Sequence, residues 1–467
     1  MNRTIHFGTD GWRAIIAKEF TVENVARLTY GLSRWVKEQA IPDRVVIGYD
    51  CRFGGKLFSQ AASTVLLSEG IEVLLSDRIV TTPMLAMAAR DLKCAAGLMI
   101  TASHNSPVYN GYKLKSHLGG PMGDKPLRII ESYTPSELDV EWELIDISTN
   151  KGFSEIDIET PYISAIHEAF DVDRIWLLSS NIVYDAMYGS GQFVMKKLFP
   201  EMIHFRSEHN PTFYGLSPEP IARNLKLLAE FVNSNSDVSL GLITDGDADR
   251  IGMMDGGGNF IDSHHIILLL IHYLVKYKGQ RGKVVTAFST VNKVRKLCEI
   301  YDLPLEIVKI GFKYASEIMT AESVMLAGEE SGGIAMETHI PERDGIWMGM
   351  MLLEFITVSE KNISELIQEV YDMVGPFVFK RRDLRLSNNI KDSVVKKCQT
   401  NGIRTIGNRP IEKVEDLDGW KFILDENTWI MIRPSGTEPV LRIYVEAEDE
   451  STAEMLLSDI NDLIDSL

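Results

Sequence analysis

Ala96-Gly97-Leu98-Met99-Ile100-Thr101-Ala102-Ser103-His104-Asn105 is the stretch from which the rest of the chain can be read. Its first five residues are apolar or small without alternation, which predicts a strand buried on both faces. The polar residues that follow then lie at the carboxyl end of an interior strand, where open α/β sheets place their ligands. A serine there, beside a histidine and followed by Asn110-Gly111-Tyr112-Lys113, suits transfer of a group to and from the hydroxyl. The histidine or lysine would move the proton.

Working outward, strands and helices alternate. Val45 to Tyr49 reads as a strand, Lys56 to Glu69 as a helix stopped by Gly70, Ile71 to Leu75 as a strand, and Met84 to Leu92 as a helix. The order recurs from Asn181 to Asp185 through a helix ending at Leu198 and a strand at Leu240 to Ile243. It recurs again from Lys283 to Ala287, through helices near Asn292 to Cys298 and Lys313 to Met319, to a strand at Val324 to Ala327. Three α/β units of similar size are expected, without a residue-level repeat. After Gly375-Pro376 the pattern changes to strands at Trp429 to Ile432 and Leu441 to Ala447 and a terminal helix from Thr452 to Ile464. This predicts a smaller α+β unit behind a movable linker near residues 370–380. Residues 131–160, acidic and turn-rich, read as another crossing between domains. The expected domains are 1–150, 151–256, 257–374 and 375–467.

A chain of 467 residues exceeds what one hydrophobic core usually serves. At 45% hydrophobic and 24% charged it is folded and globular rather than disordered. The net charge of -18 argues against nonspecific nucleic-acid or anionic-membrane binding, and a phosphate ligand would need basic residues or a metal gathered locally against that field. Cys51, Cys94, Cys298 and Cys398 are widely spaced with no CxxC, which fits a reducing compartment. Met1-Asn2-Arg3-Thr4 has no apolar core behind it, so no signal peptide is expected and the location is expected to be cytoplasmic. The longest apolar run, Ile266 to Ile271 and on to Val275, is broken by His272 and reads as a buried helix.

Three further loops carry chemistry. Asp245-Gly246-Asp247-Ala248-Asp249-Arg250 offers carboxylates at alternate positions, suited to a hard divalent cation such as Mg²⁺. An EF-hand fails here, because position six is Arg250 rather than glycine and position twelve Gly256 rather than glutamate. In Gly328-Glu329-Glu330-Ser331-Gly332-Gly333, Glu329 and Ser331 can face one side of an extended loop and bond neighbouring sugar hydroxyls. Arg433-Pro434-Ser435-Gly436-Thr437 supplies a guanidinium, two hydroxyls and N–H groups around a glycine, the parts of a phosphate nest, and Arg442 on the next strand could add a second fork. Gly8-Thr9-Asp10-Gly11-Trp12-Arg13 is a turn that presents Arg13. A serine hydrolase is disfavoured, since no G-x-S-x-G elbow surrounds Ser103.

With these four loops in order, the chain resembles the α-D-phosphohexomutases, the phosphoglucomutase and phosphomannomutase superfamily, over essentially its whole length. The resemblance implies three similar α/β domains with mixed sheets and a C-terminal α+β domain around a central cleft. It implies that Ser103 carries the phosphoryl group, and that Asp245, Asp247 and Asp249 bind Mg²⁺ with Ser103 as a further ligand. Arg13, His104, Lys113 and Arg250 fall at catalytic positions. Lys313, Glu329, Ser331, Arg433, Ser435, Gly436, Thr437 and Arg442 fall at substrate positions. The sugar loop ends in Gly333 where several phosphomannomutase-like and phosphoglucosamine-like members have histidine. That feature, the double glutamate and Lys313 in Ile310-Gly311-Phe312-Lys313-Tyr314 resemble phosphoglucomutases. The expected reaction is therefore interconversion of glucose 1-phosphate and glucose 6-phosphate, with glucose 1,6-bisphosphate as intermediate and activator. Mannose or glucosamine phosphates are the alternatives, and a noncatalytic sugar-phosphate sensor a more distant one. The expected partner is a hexose phosphate, with neither nucleic acid nor membrane.

Overall fold

A computed structural model describes residues 5–138, 147–400, 402–434 and 440–465. The chain packs as two compact units, Met1–Gly282 with Gly311–Glu365, and Lys283–Ile310 with Leu366–Leu467.

In the first unit, Ala96–Ile100 is the buried strand that its composition predicts. It lies between Arg44–Tyr49, which runs parallel to it, and Tyr109–Ser116, which runs antiparallel. The sheet has six strands, ordered Trp12–Ile15, Tyr109–Ser116, Ala96–Ile100, Arg44–Tyr49, Glu72–Ser76 and Phe153–Ile156. The helices Val22–Val36 and Gly55–Ser68 contribute Val25, Leu28, Leu32, Phe58, Ala62 and Leu66 to its core. Phe153–Ile156 pairs parallel to Glu72–Ser76, so the first sheet runs past residue 150 into the stretch read as a crossing. Four residues with two exposed at its centre carry too little apolar pattern to announce an edge strand.

A second sheet, still within this unit, is ordered Phe260–Ile261, Ile251–Asp255, Leu240–Thr244, Ile182–Asp185 and Ile203–Phe205. Here too the sheet passes the expected boundary, at 256. Leu240–Thr244 pairs parallel to Ile182–Asp185 and antiparallel to Ile251–Asp255. Val324–Gly328 pairs antiparallel to Ile334–Met336. The three loops 101–108, 245–250 and 329–333 therefore occupy one topological position, each joining a buried strand to its antiparallel neighbour. The repeat absent at residue level is present in the topology.

The apolar run at 266–275 is a buried helix, Ser263–His272, extended by a wider turn through Tyr277. Among the described residues no helix is long and apolar enough to cross a membrane. The helix Gly345–Ser359 begins at Asp344, whose carboxylate accepts from Ile346 N and Trp347 N at 3.1 and 3.0 Å. That carboxylate also accepts from the Tyr162 hydroxyl at 2.9 Å and lies 2.9 Å from His339 Nε2. Asp344 thus fixes the turn that delivers Arg343.

The second unit contains the parallel pair Lys283–Ala287 and Leu305–Val308. It also contains an antiparallel sheet ordered Val378–Arg385, Val440–Ala447, Thr428–Pro434, Trp420–Asp425 and Lys413–Glu415. The helices Asn388–Gln399 and Glu450–Asp465 pack Val394, Cys398, Leu456 and Ile460 onto it. The helix Ile363–Val374 runs into the stretch read as a linker and ends before Gly375 at φ 85° and Pro376.

Because Asp344 is fully buried with donors from two directions, Asp344→Ala should lower the unfolding free energy by about 3 kcal/mol, through lost capping and orphaned donors. Tyr162→Phe, which leaves the cap intact, should cost about 1 kcal/mol. Urea denaturation followed by circular dichroism measures both.

Candidate functional site

Ser103 is fully buried and takes a left-handed backbone conformation, φ 51°, uncommon for a residue other than glycine. Its hydroxyl donates to Asp245 Oδ2 at 2.7 Å and lies 3.3 Å from His104 Nδ1. The loop 245–250 reaches it so closely because residue 246 is glycine: a Cβ there would stand 2.5 Å from Ser103 O.

Lys113, 1% exposed, points from the neighbouring strand into the same space. Its ammonium lies 2.9 Å from Asp10 Oδ2, 2.9 Å from Asp247 Oδ2 and 3.2 Å from Asp249 Oδ2. Burial opposes its charge, but Asp10, Asp247 and Asp249 outweigh burial and hold the Lys113 pKa above the ordinary lysine value. His104 is shifted the other way: burial, then the cations Arg250, Arg13 and Lys113, hold the imidazole neutral well below its usual range. Arg13 donates to Asn105 Oδ1 at 2.7 Å and Asp10 Oδ2 at 2.9 Å. Arg250 lies across the metal loop, its Nε 4.0 Å from Asp245 and 3.9 Å from Asp249.

Asp245, Asp247 and Asp249 are fully buried, and one oxygen from each falls within 4.8 Å of the others. Burial and the repulsion of Asp249 and Asp247 push the Asp245 carboxyl well above its ordinary range. Asp247 Oδ1 and Asp249 Oδ1 are buried without a hydrogen-bond partner. Unpaired buried carboxylate oxygens are costly. Three of these residues converging, with no sulfur or imidazole among them, fit a hard, oxygen-preferring divalent cation.

Arg343 was not singled out by the sequence analysis. Its guanidinium donates to Asp249 Oδ2 at 2.6 Å and Asp10 Oδ2 at 3.0 Å. Its neighbour Glu342 takes a buried ion pair from Lys115 at 2.6 Å. The only signal was a run of three charged residues, Glu342-Arg343-Asp344, ahead of an apolar helix. Asp10 likewise stands in the turn that presents Arg13, with no local pattern that marks it. In the sugar loop, a Cβ at Gly333 would collide with the Arg343 side chain, so glycine at 333 goes with arginine at 343.

Glu329 is buried and accepts from Gly311 N at 2.8 Å, with burial pushing its carboxyl up to about 7. Ser331 is half-buried in the same loop. Lys313 pairs with Asp124 Oδ1 at 2.7 Å. Ser103, His104, Lys113, Arg13, Arg250 and the aspartate triad thus form one cluster. In the second unit, Arg433 and Arg442 are directly opposed on neighbouring strands. Arg433 pairs with Asp418 at 3.2 Å, Arg442 Nε lies 3.9 Å from Asp383, and both Nε atoms are buried without a hydrogen-bond partner. Ser435, Gly436 and Thr437 lie outside the described residues.

Four domain models of one family match the chain in order. Phosphoglucomutase/phosphomannomutase alpha/beta/alpha domains I, II and III match residues 4–140, 160–258 and 262–374, and the C-terminal domain matches 391–463. A phosphoglucosamine mutase of Methanocaldococcus jannaschii is 31% identical over 89% of this chain and 90% of its own. A phosphoglucomutase/phosphomannomutase of Thermococcus kodakarensis is 28% identical over 97% and 96%. A crystal structure from Thermus thermophilus, described provisionally as a phosphomannomutase, superposes with a TM-score of 0.88 at 31% identity and full coverage of both chains. The chain belongs to the phosphoglucomutase/phosphomannomutase family of phosphohexomutases, enzymes that move a phosphoryl group within a sugar phosphate.

The convergence of the triad generates a prediction. Asp247→Asn and Asp249→Asn should each weaken Mg²⁺ binding by about 10–100-fold or more, measured by isothermal titration calorimetry. Ser331→Ala, outside the cluster, should leave Mg²⁺ affinity unchanged.

Proposed function

We propose that this chain interconverts hexose 1-phosphates and hexose 6-phosphates by way of phospho-Ser103. The observation that carries the reading is the Ser103 hydroxyl, 2.7 Å from Asp245, at the edge of three carboxylates with unpartnered oxygens. Asp245, Asp247 and Asp249, with Ser103, would hold Mg²⁺, which when bound supplies positive charge to offset that on the transferring phosphoryl group.

Phospho-Ser103 gives its phosphoryl group to the free sugar hydroxyl: the Ser103 Oγ–P bond breaks as the sugar O–P bond forms, giving a hexose 1,6-bisphosphate. The bisphosphate reorients, and its other phosphate returns to Ser103. His104, neutral and in reach of Ser103, accepts the hydroxyl proton and gives it back, whereas Lys113 remains a fixed cation beside the transferring group. Arg13, Arg250 and Arg343 add positive charge around it. Glu329 and Ser331 orient sugar hydroxyls, and Lys313 adds a donor for the sugar phosphate. In the second unit, two guanidiniums directly opposed on neighbouring strands, each flanked by one aspartate, could together take a dianion. That supports Arg433 and Arg442, with Ser435, Gly436 and Thr437, as the grip on the phosphate not being transferred.

For the sugar, we favour glucosamine or mannose phosphate over glucose. Relatives at up to 31% identity carry those specificities in their names. Gly333, one of the three features that suggested glucose, leaves the space that the Arg343 side chain fills, so its identity has a packing reason apart from the sugar. Turnover of glucosamine, mannose and glucose 1-phosphates side by side, with Mg²⁺ and a bisphosphate activator, tests this. The expected order puts glucose below at least one of the other two, and glucose as the best substrate would reverse the assignment.

Two substitutions separate the roles. Ser103→Ala should abolish turnover with the fold intact by circular dichroism. Arg433→Ala should raise KM and lower kcat by about 10–100-fold, because a remote phosphate aligns the reacting end. Calorimetry should find its Mg²⁺ affinity unchanged.

A further inference from the structure

The loop after the strand Arg44–Tyr49 takes no part in the chemistry described above, yet it sends Arg52 beneath the Ser103 turn. The Arg52 side chain is fully buried. Its Nη1 donates to Ser106 O at 2.9 Å and Tyr109 O at 3.0 Å. Its Nη2 donates to Ser103 O at 2.6 Å and Asn105 O at 2.5 Å. The Phe213 ring covers the guanidinium, 5.0 Å from centroid to Cζ. All four Nη protons are thus committed to main-chain carbonyls of one short turn, which leaves no Nη donor for a substrate phosphate.

Asp50 holds the other side of the same serine. Its Oδ1 accepts from Arg52 N at 2.9 Å, and its Oδ2 accepts from the Thr101 hydroxyl at 2.5 Å. That hydroxyl in turn accepts from Ser103 N at 2.9 Å. The main-chain N–H of Ser103 is therefore fixed through Thr101 by Asp50, and its C=O is fixed directly by Arg52. The two side chains face each other at 3.4 Å. Ser103 sits between them in a conformation an L-residue rarely adopts without being held there.

We propose that Asp50 and Arg52 are positioning residues for the phosphoryl carrier, holding Ser103 in its left-handed conformation so that Oγ stays aimed at Asp245 through each transfer. The proposal rests on the reading of Ser103 as that carrier. A guanidinium is required because its planar fork reaches four carbonyls at once, which a single ammonium nitrogen cannot do. Both side chains are buried and bonded to the Ser103 turn and its neighbours, so their loss should appear in kcat rather than in KM.

The test compares Arg52→Lys with Arg206→Lys. Arg206 makes a buried ion pair with Asp185 in the second sheet, Nε to Oδ1 at 2.9 Å, and serves as the control for loss of buried pairing alone. Arg52→Lys should lower kcat by about 100-fold, as for a reacting atom displaced by an ångström, with KM and Mg²⁺ affinity within about threefold of wild type. Arg206→Lys should lose comparable thermal stability with kcat near wild type. If Arg52→Lys does not fold, the pair Thr101→Val and Thr101→Ser decides: valine should lower kcat by about tenfold and serine, which keeps the hydroxyl, should restore it. Equal kcat in Arg52→Lys and Arg206→Lys, a loss confined to KM, or normal kcat in Thr101→Val would overturn the proposal. Mass spectrometry of Ser103 after exposure to a hexose 1,6-bisphosphate separates the two levels. No phosphate on wild-type Ser103 overturns both readings. Phosphorylation as fast in Arg52→Lys as in wild type overturns only the positioning role.

Discussion

Lys113 places one buried ammonium against Asp10, Asp247 and Asp249, all within 3.2 Å, and the rest of the site is arranged around that contact. Three acidic side chains, Asp247 and Asp249 fully buried and Asp10 largely so, repel one another unless cations enter with them. Lys113 comes from the first sheet, Asp10 from the turn ahead of its strand Trp12–Ile15, Asp247 and Asp249 from the turn between two strands of the second, and Arg343 from the turn ahead of the helix Gly345–Ser359. The charge balance therefore binds separate segments of the first unit, and each must be in place for the others to be tolerated.

Once that balance is set, the electrostatics divide the labour. Burial and its acidic neighbours push Asp245 well above its ordinary range, and Asp245 accepts from the Ser103 hydroxyl. A cation there would relieve that repulsion beside the hydroxyl proposed to carry the phosphoryl group. Arg13, Arg250 and Arg343 assemble a cationic surround within a chain of net charge -18, the local reversal that a phosphate ligand requires. Asp50 and Arg52 act one step further out, on the main chain of Ser103 rather than on the charge around it.

Much of this was legible because the chemistry sits in loops between buried strands. The runs Ala96 to Ile100, Leu240 to Ile243 and Val324 to Ala327 announce themselves by unbroken hydrophobicity, and the polar loops stand out against them. Arg52, Asp10 and Arg343 were not legible in the same way. A buried arginine that holds carbonyls, or one that reaches an aspartate 94 positions away in the chain, leaves no local pattern, because tertiary approach creates its role. Gly333 shows the converse. With the double glutamate and Lys313 it resembles a sugar-specificity feature, while in the fold it leaves the space that Arg343 fills. The strand Phe153–Ile156 escaped notice because a short, half-exposed edge strand has almost no periodic signal.

The central claim is that the buried carboxylate cluster beside Ser103 is built for one divalent cation. A crystal of the protein soaked in Mn²⁺ and measured at the manganese absorption edge tests it most directly. The account predicts a single strong anomalous peak with oxygen ligands from Asp245, Asp247 and Asp249. A peak at other side chains, with the triad still paired only to Lys113, Arg343 and Ser103, would contradict it.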